Sequence, residues 1–120
     1  MKKTGSIFLK DPEEHNYPAA LDYLELLFPL TQSKKMVNDL KKAPTIKKKA
    51  KDIYRASGLP LLPKKNEHVA KNLEKFKNEK KLSPILLVRA NGKLIIADGY
   101  HRLCASYYLT EDLEICCRLV

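Results

Sequence analysis

The chain has 120 residues, 23 lysines and arginines against 14 aspartates and glutamates, and a formal net charge of +9. That length suits one domain with a radius of roughly 14 Å, and 44% apolar with 31% charged residues is the balance of a globule, not of a disordered chain. No apolar run approaches the ~20 residues that span a bilayer, so a membrane role is not expected; Cys104, Cys116 and Cys117 form neither a disulfide framework nor a Cys-x-x-Cys metal pair and point to a reducing cytoplasm.

The start, from Met1-Lys2-Lys3 to Ile7-Phe8-Leu9-Lys10, is basic, but its apolar stretch is too short for a signal peptide. The next segment reads as helical. Pro18 suits a first helical position, and Leu21, Leu24, Leu27 and Phe28 recur at helical spacing until Pro29. Thr31 is placed to cap a second helix with Met36, Val37 and Leu40 inside, ending before Pro44. A third is expected after Thr45, with Ile46, Ala50, Ile53 and Tyr54 inward, Lys47, Lys48, Lys49 and Lys51 mostly outward, and Gly58 as a left-handed cap.

Charge concentrates in this half. Between Lys34 and Arg55 stand nine basic residues and two acidic ones, Asp39 and Asp52, a local net of +7. Such a cluster can attract phosphate backbone or acidic lipid, or it can be a solvated helix face that keeps the protein in solution. No aromatic residue interrupts it before Tyr54, so stacking on single-stranded bases has little support.

Leu59-Pro60-Leu61-Leu62-Pro63 is a stiff connector, since each proline restricts its own residue and the one before. Asn66 then reads as the N-cap of a helix carrying Val69, Leu73 and Phe76 inward and Lys71, Lys75, Lys77, Lys80 and Lys81 outward, ended by Ser83-Pro84. Ile85-Leu86-Leu87-Val88-Arg89 and Lys93-Leu94-Ile95-Ile96-Ala97 flank an Asn91-Gly92 turn, the type I′ hairpin signal. Both arms are continuously apolar, which predicts a sheet covered on both faces. Leu103, Cys104, Tyr107 and Tyr108 describe a further helix, and Glu114 to Val120 a final strand. The fold class is α+β: residues 1–58 form a helical N-terminal extension packed on a core at 59–120, one compact domain overall.

Asp98-Gly99-Tyr100-His101-Arg102 joins the hairpin to the last helix. A strand running through Gly into a helix leaves the helix's first N–H groups pointing outward, at the positive end of its dipole. Gly99 lets an anion approach the backbone, Arg102 offers a two-pronged donor, and His101 donates a hydrogen bond or, protonated, a charge. Together these describe a phosphate site. The plain structural alternative has Asp98 capping the helix, Arg102 paired with a surface carboxylate such as Glu111, and His101 an ordinary surface histidine.

The run Leu82-Ser83-Pro84-Ile85-Leu86-Leu87-Val88-Arg89, Asn91-Gly92, and Leu94-Ile95-Ile96-Ala97-Asp98-Gly99-Tyr100-His101-Arg102-Leu103-Cys104-Ala105 resembles the ParB/sulfiredoxin superfamily. Gly99, Arg102 and Ala105 fit its Gly-x-x-Arg-x-x-Ala form; Gly99, His101 and Arg102 fit its Gly-x-His-Arg form. The resemblance spans about 59–120, in a standalone bacterial-type version without a helix-turn-helix. It implies a small mixed sheet with packed helices and a nucleotide-phosphate site, with CTP or ATP and Mg²⁺ as ligands. Gly99, Tyr100, His101 and Arg102 would be phosphate contacts, Lys64, Lys65 and Asn66 would stand where relatives place further basic contacts, and Glu67, with His68 beside it, near where kinase relatives use a carboxylate. Asp98 is the nearest carboxylate to the phosphate and could bind Mg²⁺ or act as a base.

The departures narrow this. Tyr100 stands where sulfiredoxins have a catalytic cysteine, so sulfinic acid reduction is not expected, and Cys104, one turn later, is read as a core residue. Three readings follow: a protein that binds a nucleotide or phosphorylated small molecule, with phosphotransfer or nucleotide hydrolysis as its extension; a nucleic-acid-binding protein using the basic 34–55 segment; and a non-enzymatic interaction module, a homodimer included, using its N-terminal helices.

Overall fold

The computed structural model describes residues 7–120; the start from Met1 to Ser6 lies outside them. In chain order the elements are α1 (Asn16–Leu24), α2 (Leu30–Lys42), β1 (Ile46–Lys49), α3 (Ala50–Ser57), α4 (Glu67–Lys77), β2 (Ile85–Ala90), β3 (Lys93–Asp98), α5 (Tyr100–Leu109) and β4 (Glu114–Leu119). The strands form one mixed sheet in the order β1-β4-β2-β3. β2 and β3 are an antiparallel hairpin, β4 returns parallel to β2, and β1 closes the far edge antiparallel to β4. The fold is α+β.

Helices cover both faces of this sheet, as the unbroken apolar runs require. On one face Tyr17, Ala20 and Leu24 of α1 and Val37 and Leu40 of α2 pack against Leu86, Val88 and Ala97. On the other, Ile53 of α3 and Leu103 of α5 meet Ile85, Leu87, Ile96, Ile115 and Cys117. α4 stands outside this layer and packs on α5 through Val69, Cys104 and Ala105. Each fully buried Leu, Ile or Val side chain contributes about 1.5–3 kcal/mol by leaving water, and the two internal strands β2 and β4 each carry four consecutive buried residues.

The hairpin forms as read: Asn91 and Gly92 both take positive φ, 56° and 71°. Gly58 closes α3 in the left-handed region, and Asn66 caps α4 by accepting from the N–H groups of His68 and Val69 at 2.9 and 3.2 Å.

Several expectations are corrected. The helix expected from Thr45 begins only at Ala50, because Ile46–Lys49 pairs with β4. The pairing supplies backbone partners that outweigh the weak strand preference of three lysines, and lysine on an exposed sheet edge discourages edge-to-edge association. α1 starts two residues earlier than expected, placing Pro18 third in the helix, still within the turn whose N–H groups lack partners. It stops at Leu24, and Pro29, not Thr31, is the N-cap of α2. α4 stops well before Ser83-Pro84: Glu79 adopts φ 58°, and the N–H groups of Glu79 and Lys80 donate to the carbonyls of Phe76 and Lys75. This is a Schellman closure with glutamate where glycine is usual.

Arg118 of β4 ties the N-terminal helices to the sheet. Its guanidinium donates to the carbonyls of Leu40 and Lys41 at the C-terminal end of α2 and to the Tyr17 hydroxyl. It also reaches Thr45 Oγ1 and the Asp11 carboxylate. A buried arginine is tolerated when its donors are met.

Candidate functional site

The site grows out of the β3–α5 junction. Gly99 is the N-cap of α5 with φ 114°, a conformation that side chains other than glycine rarely adopt. A Cβ there would lie 2.8 Å from Cγ1 of Ile85 and 3.0 Å from Nη2 of Arg102. The glycine is therefore demanded by close packing as well as by conformation. No side chain caps α5. Its first bond back to the cap runs from the Leu103 N–H to the Gly99 carbonyl, so the N–H groups of Tyr100, His101 and Arg102 precede the ladder and carry the positive end of the helix dipole. The neighbouring α4 start differs, since Asn66 already takes its free N–H groups.

Asp98 does not cap α5. It accepts from Arg102 Nη2 at 3.0 Å, and the same nitrogen donates to the Pro84 carbonyl at 3.2 Å. This ion pair replaces the surface pairing with Glu111 considered from sequence, and fixes the guanidinium at the mouth of the junction. Both side chains are largely buried, 16% and 18% exposed, so the pair is less screened than a surface one. Arg102 Nε is buried without a hydrogen-bond partner, a polar group that native structures seldom leave unmet.

The connector positions the opposing wall. The Tyr100 hydroxyl donates to the Pro60 carbonyl and the Tyr108 hydroxyl to the Leu62 carbonyl, so two tyrosines of α5 hold the segment that leads into α4. This registers the first turns of α4 against the start of α5 and brings the His68 and His101 rings together, centroids 4.8 Å apart. Burial, then the neighbouring His68 imidazole and Arg102 guanidinium, lowers the His101 pKa below its ordinary 6.5.

Between these walls lies a cleft of about 250 Å³ lined by His68, Lys71, Asn72 and Lys75 of α4 and by Asp98, Gly99, Tyr100, His101 and Arg102. Three fixed cations and two imidazoles face one carboxylate, and that carboxylate is already paired with Arg102. Such a surface suits a multiply charged oxyanion.

Comparison of the chain with protein-family models, with curated proteins and with solved structures finds no match.

The sequence-predicted residues fare differently. Gly99, Tyr100, His101, Arg102 and Asp98 all line the cleft, though the Tyr100 hydroxyl is engaged with Pro60, leaving its backbone N–H and ring edge for the site. Glu67 and Lys65 are exposed and outside the cleft lining. Lys64 stands over the Tyr108 ring, 5.4 Å from its centroid, beside a different groove. His68, considered beside Glu67 from sequence, does line the cleft; Lys71 and Lys75, expected on a solvated face, and Asn72, not singled out, line it too. Their signal was present: spacing i, i+3, i+4, i+7 is one stripe of a helix.

Among the described residues no group of three or more His, Cys, Asp or Glu could hold a metal ion. Cys104 is fully buried, as expected, and burial raises its pKa against a weaker opposing hydrogen bond from the Leu62 backbone. Burial likewise pushes Cys117 up to about 11. Both thiols stay protonated at neutral pH and are poor nucleophiles. Among the described residues no helix is long and apolar enough to cross a membrane.

Proposed function

We propose that the chain binds a phosphorylated small molecule at the α4–α5 cleft, with a nucleotide phosphate the ligand class that its ParB/sulfiredoxin-like sequence features favour. The observation that carries this reading is the meeting of uncapped N–H groups at Gly99–Arg102 with the cationic stripe of α4. The residues suit a phosphate group: the first N–H groups of α5 carry no side-chain cap, and Lys71, Lys75, His68 and His101 line the cleft beside them. Arg102 lines the cleft as a fixed charge oriented by Asp98. With CTP or ATP, the cleft would take phosphate while sugar and base lie outside it. Mg²⁺, a hard cation that prefers several oxygens and keeps waters, would sit on the ligand's phosphates, since the one carboxylate in the cleft is paired. No catalytic base is assigned; Asp98 serves Arg102 and Glu67 lies apart. The reduced thiols accord with a cytoplasmic setting.

The test is thermal unfolding with inorganic phosphate, CTP and ATP, with and without Mg²⁺. A ligand at a hundredfold excess over its Kd stabilises by about 2.7 kcal/mol, so Tm rises by several degrees, and Lys71→Ala with Lys75→Ala removes the rise. No rise with any of them contradicts the reading.

The nucleic-acid alternative has less support. Lys35, Lys51 and Arg55 are paired with Asp39, Asp112 and Asp52, and Lys41 lies over the Tyr17 ring. The strand lysines Lys47, Lys48 and Lys49 alternate faces, so the cluster is not one continuous basic surface. A homodimer reading has one specific support, the exposed apolar corner of Tyr23, Leu26, Leu27 and Leu30. It requires sedimentation that depends on concentration and that Leu26→Ser abolishes.

A further inference from the structure

We propose that His68 and His101 act as a two-imidazole clamp that selects a terminal phosphomonoester dianion and takes up a proton when it binds; this rests on the phosphate reading above. The two rings reach the cleft from different helices and lie 4.8 Å apart. In the free protein, two imidazolium ions at that separation would repel each other and the fixed cations around them. Among the described residues, the charged groups that line the cleft with the pair are Lys71 and Lys75 from α4, Arg102 from α5, and Asp98 from the end of β3. Asp98 is committed to Arg102, so among these residues the one carboxylate does not compensate a second positive ring. At His101 the empty clamp therefore favours neutral imidazole, in accord with its lowered pKa.

A dianion in the cleft reverses the balance. Each imidazolium then donates to a phosphate oxygen in a charge-assisted bond, and the repulsion between the rings is offset by the charge they share. The proton comes from solvent, and no covalent bond changes. Selectivity follows from charge and size. A phosphodiester carries one negative charge and two substituents, whereas a terminal monoester carries nearly two at neutral pH, its second pKa being about 6. The cleft, about 250 Å³, is smaller than the roughly 300–1,000 Å³ that encloses a whole drug-sized ligand. It suits the end of a molecule, so the inference disfavours a nucleic-acid backbone at this site.

The experiment is calorimetric titration of the intact protein with methyl phosphate and with dimethyl phosphate near pH ~7.5, in buffers of different ionisation enthalpy. At that pH the monoester is already largely dianionic, so uptake reports on the protein. The clamp predicts uptake approaching one proton with methyl phosphate and much weaker binding of dimethyl phosphate without uptake. His68→Gln, at an exposed position, should reduce uptake and weaken methyl phosphate about twofold or more at this pH, since a one-unit pKa rise that ends near the assay pH is realised only in part. Ring-proton NMR titration of the unaltered protein provides a second measure, in which the pKa of His101 rises when methyl phosphate is present. Binding of methyl phosphate without proton uptake, or equal binding of the diester, overturns the clamp while leaving the phosphate reading standing. Failure of both compounds to bind overturns both.

Discussion

At the scale of single residues, Gly99, Arg118 and His101 show three different kinds of demand. Gly99 is held by geometry: alanine there would meet Ile85 and Arg102 closer than van der Waals contact and would occupy a backbone conformation foreign to it. Gly99→Ala is expected to cost about 2–3 kcal/mol in urea unfolding; a cost below about 1 kcal/mol would mean that Ile85 yields freely. Arg118 is held by hydrogen bonding. Its partner Asp11 is 69% exposed, so the ion pair itself contributes little, while the carbonyls of Leu40 and Lys41 and the Tyr17 hydroxyl lose a buried donor if it goes. Arg118→Met should therefore destabilise by about 3 kcal/mol or more, and Asp11→Asn by under about 1 kcal/mol. Comparable losses from the two would contradict this division. His101 makes stability depend on pH. Its folded pKa lies below the unfolded value near 6.5, so as pH falls below 6.5 the unfolded chain takes up a proton that the folded chain resists. Acid weakens the fold in that window, and raising the pH restores it. His101→Gln should remove this contribution, read as a flatter slope of Tm against pH between ~5 and ~7.

At the scale of elements, what could be read from sequence was what local chemistry decides. Asn91-Gly92 fixes a hairpin because few residue pairs accept two positive φ angles, and Asn66 fixes a helix start because its side chain can take two N–H groups. β1 was hidden because its strand character comes from pairing with β4, a partner some seventy residues away, and not from Lys47-Lys48-Lys49. The end of α4 was hidden because glutamate is an unusual residue for its left-handed position. Glu79→Gly should stabilise the protein by about 0.5–1 kcal/mol, by relieving the left-handed strain at the Schellman closure. A destabilisation in urea melts would show that the Glu79 side chain is needed where it stands. The candidate site divides in the same way. The Gly99–Arg102 half was legible because motif and helix start coincide in sequence. Of the α4 half only His68 was considered, because the connector held by Tyr100 and Tyr108 sets which face of that helix meets the cleft.

At the scale of the whole molecule, a mixed sheet held between two helical layers leaves β1 and β3 as its edges and sets the β3–α5 junction beside α4. Positive charge is distributed over several surfaces, and much of it is paired or lies at a strand edge. In the α4–α5 cleft it meets uncapped helix N–H groups. The central claim is that this cleft receives phosphate. Its most direct test is an amide NMR titration of the full chain with inorganic phosphate. The account predicts saturable shifts at Gly99, Tyr100, His101 and Arg102 together with His68 and Lys71, abolished by Lys71→Ala with Lys75→Ala; shifts confined to Lys47–Lys49, or none at all, would contradict it.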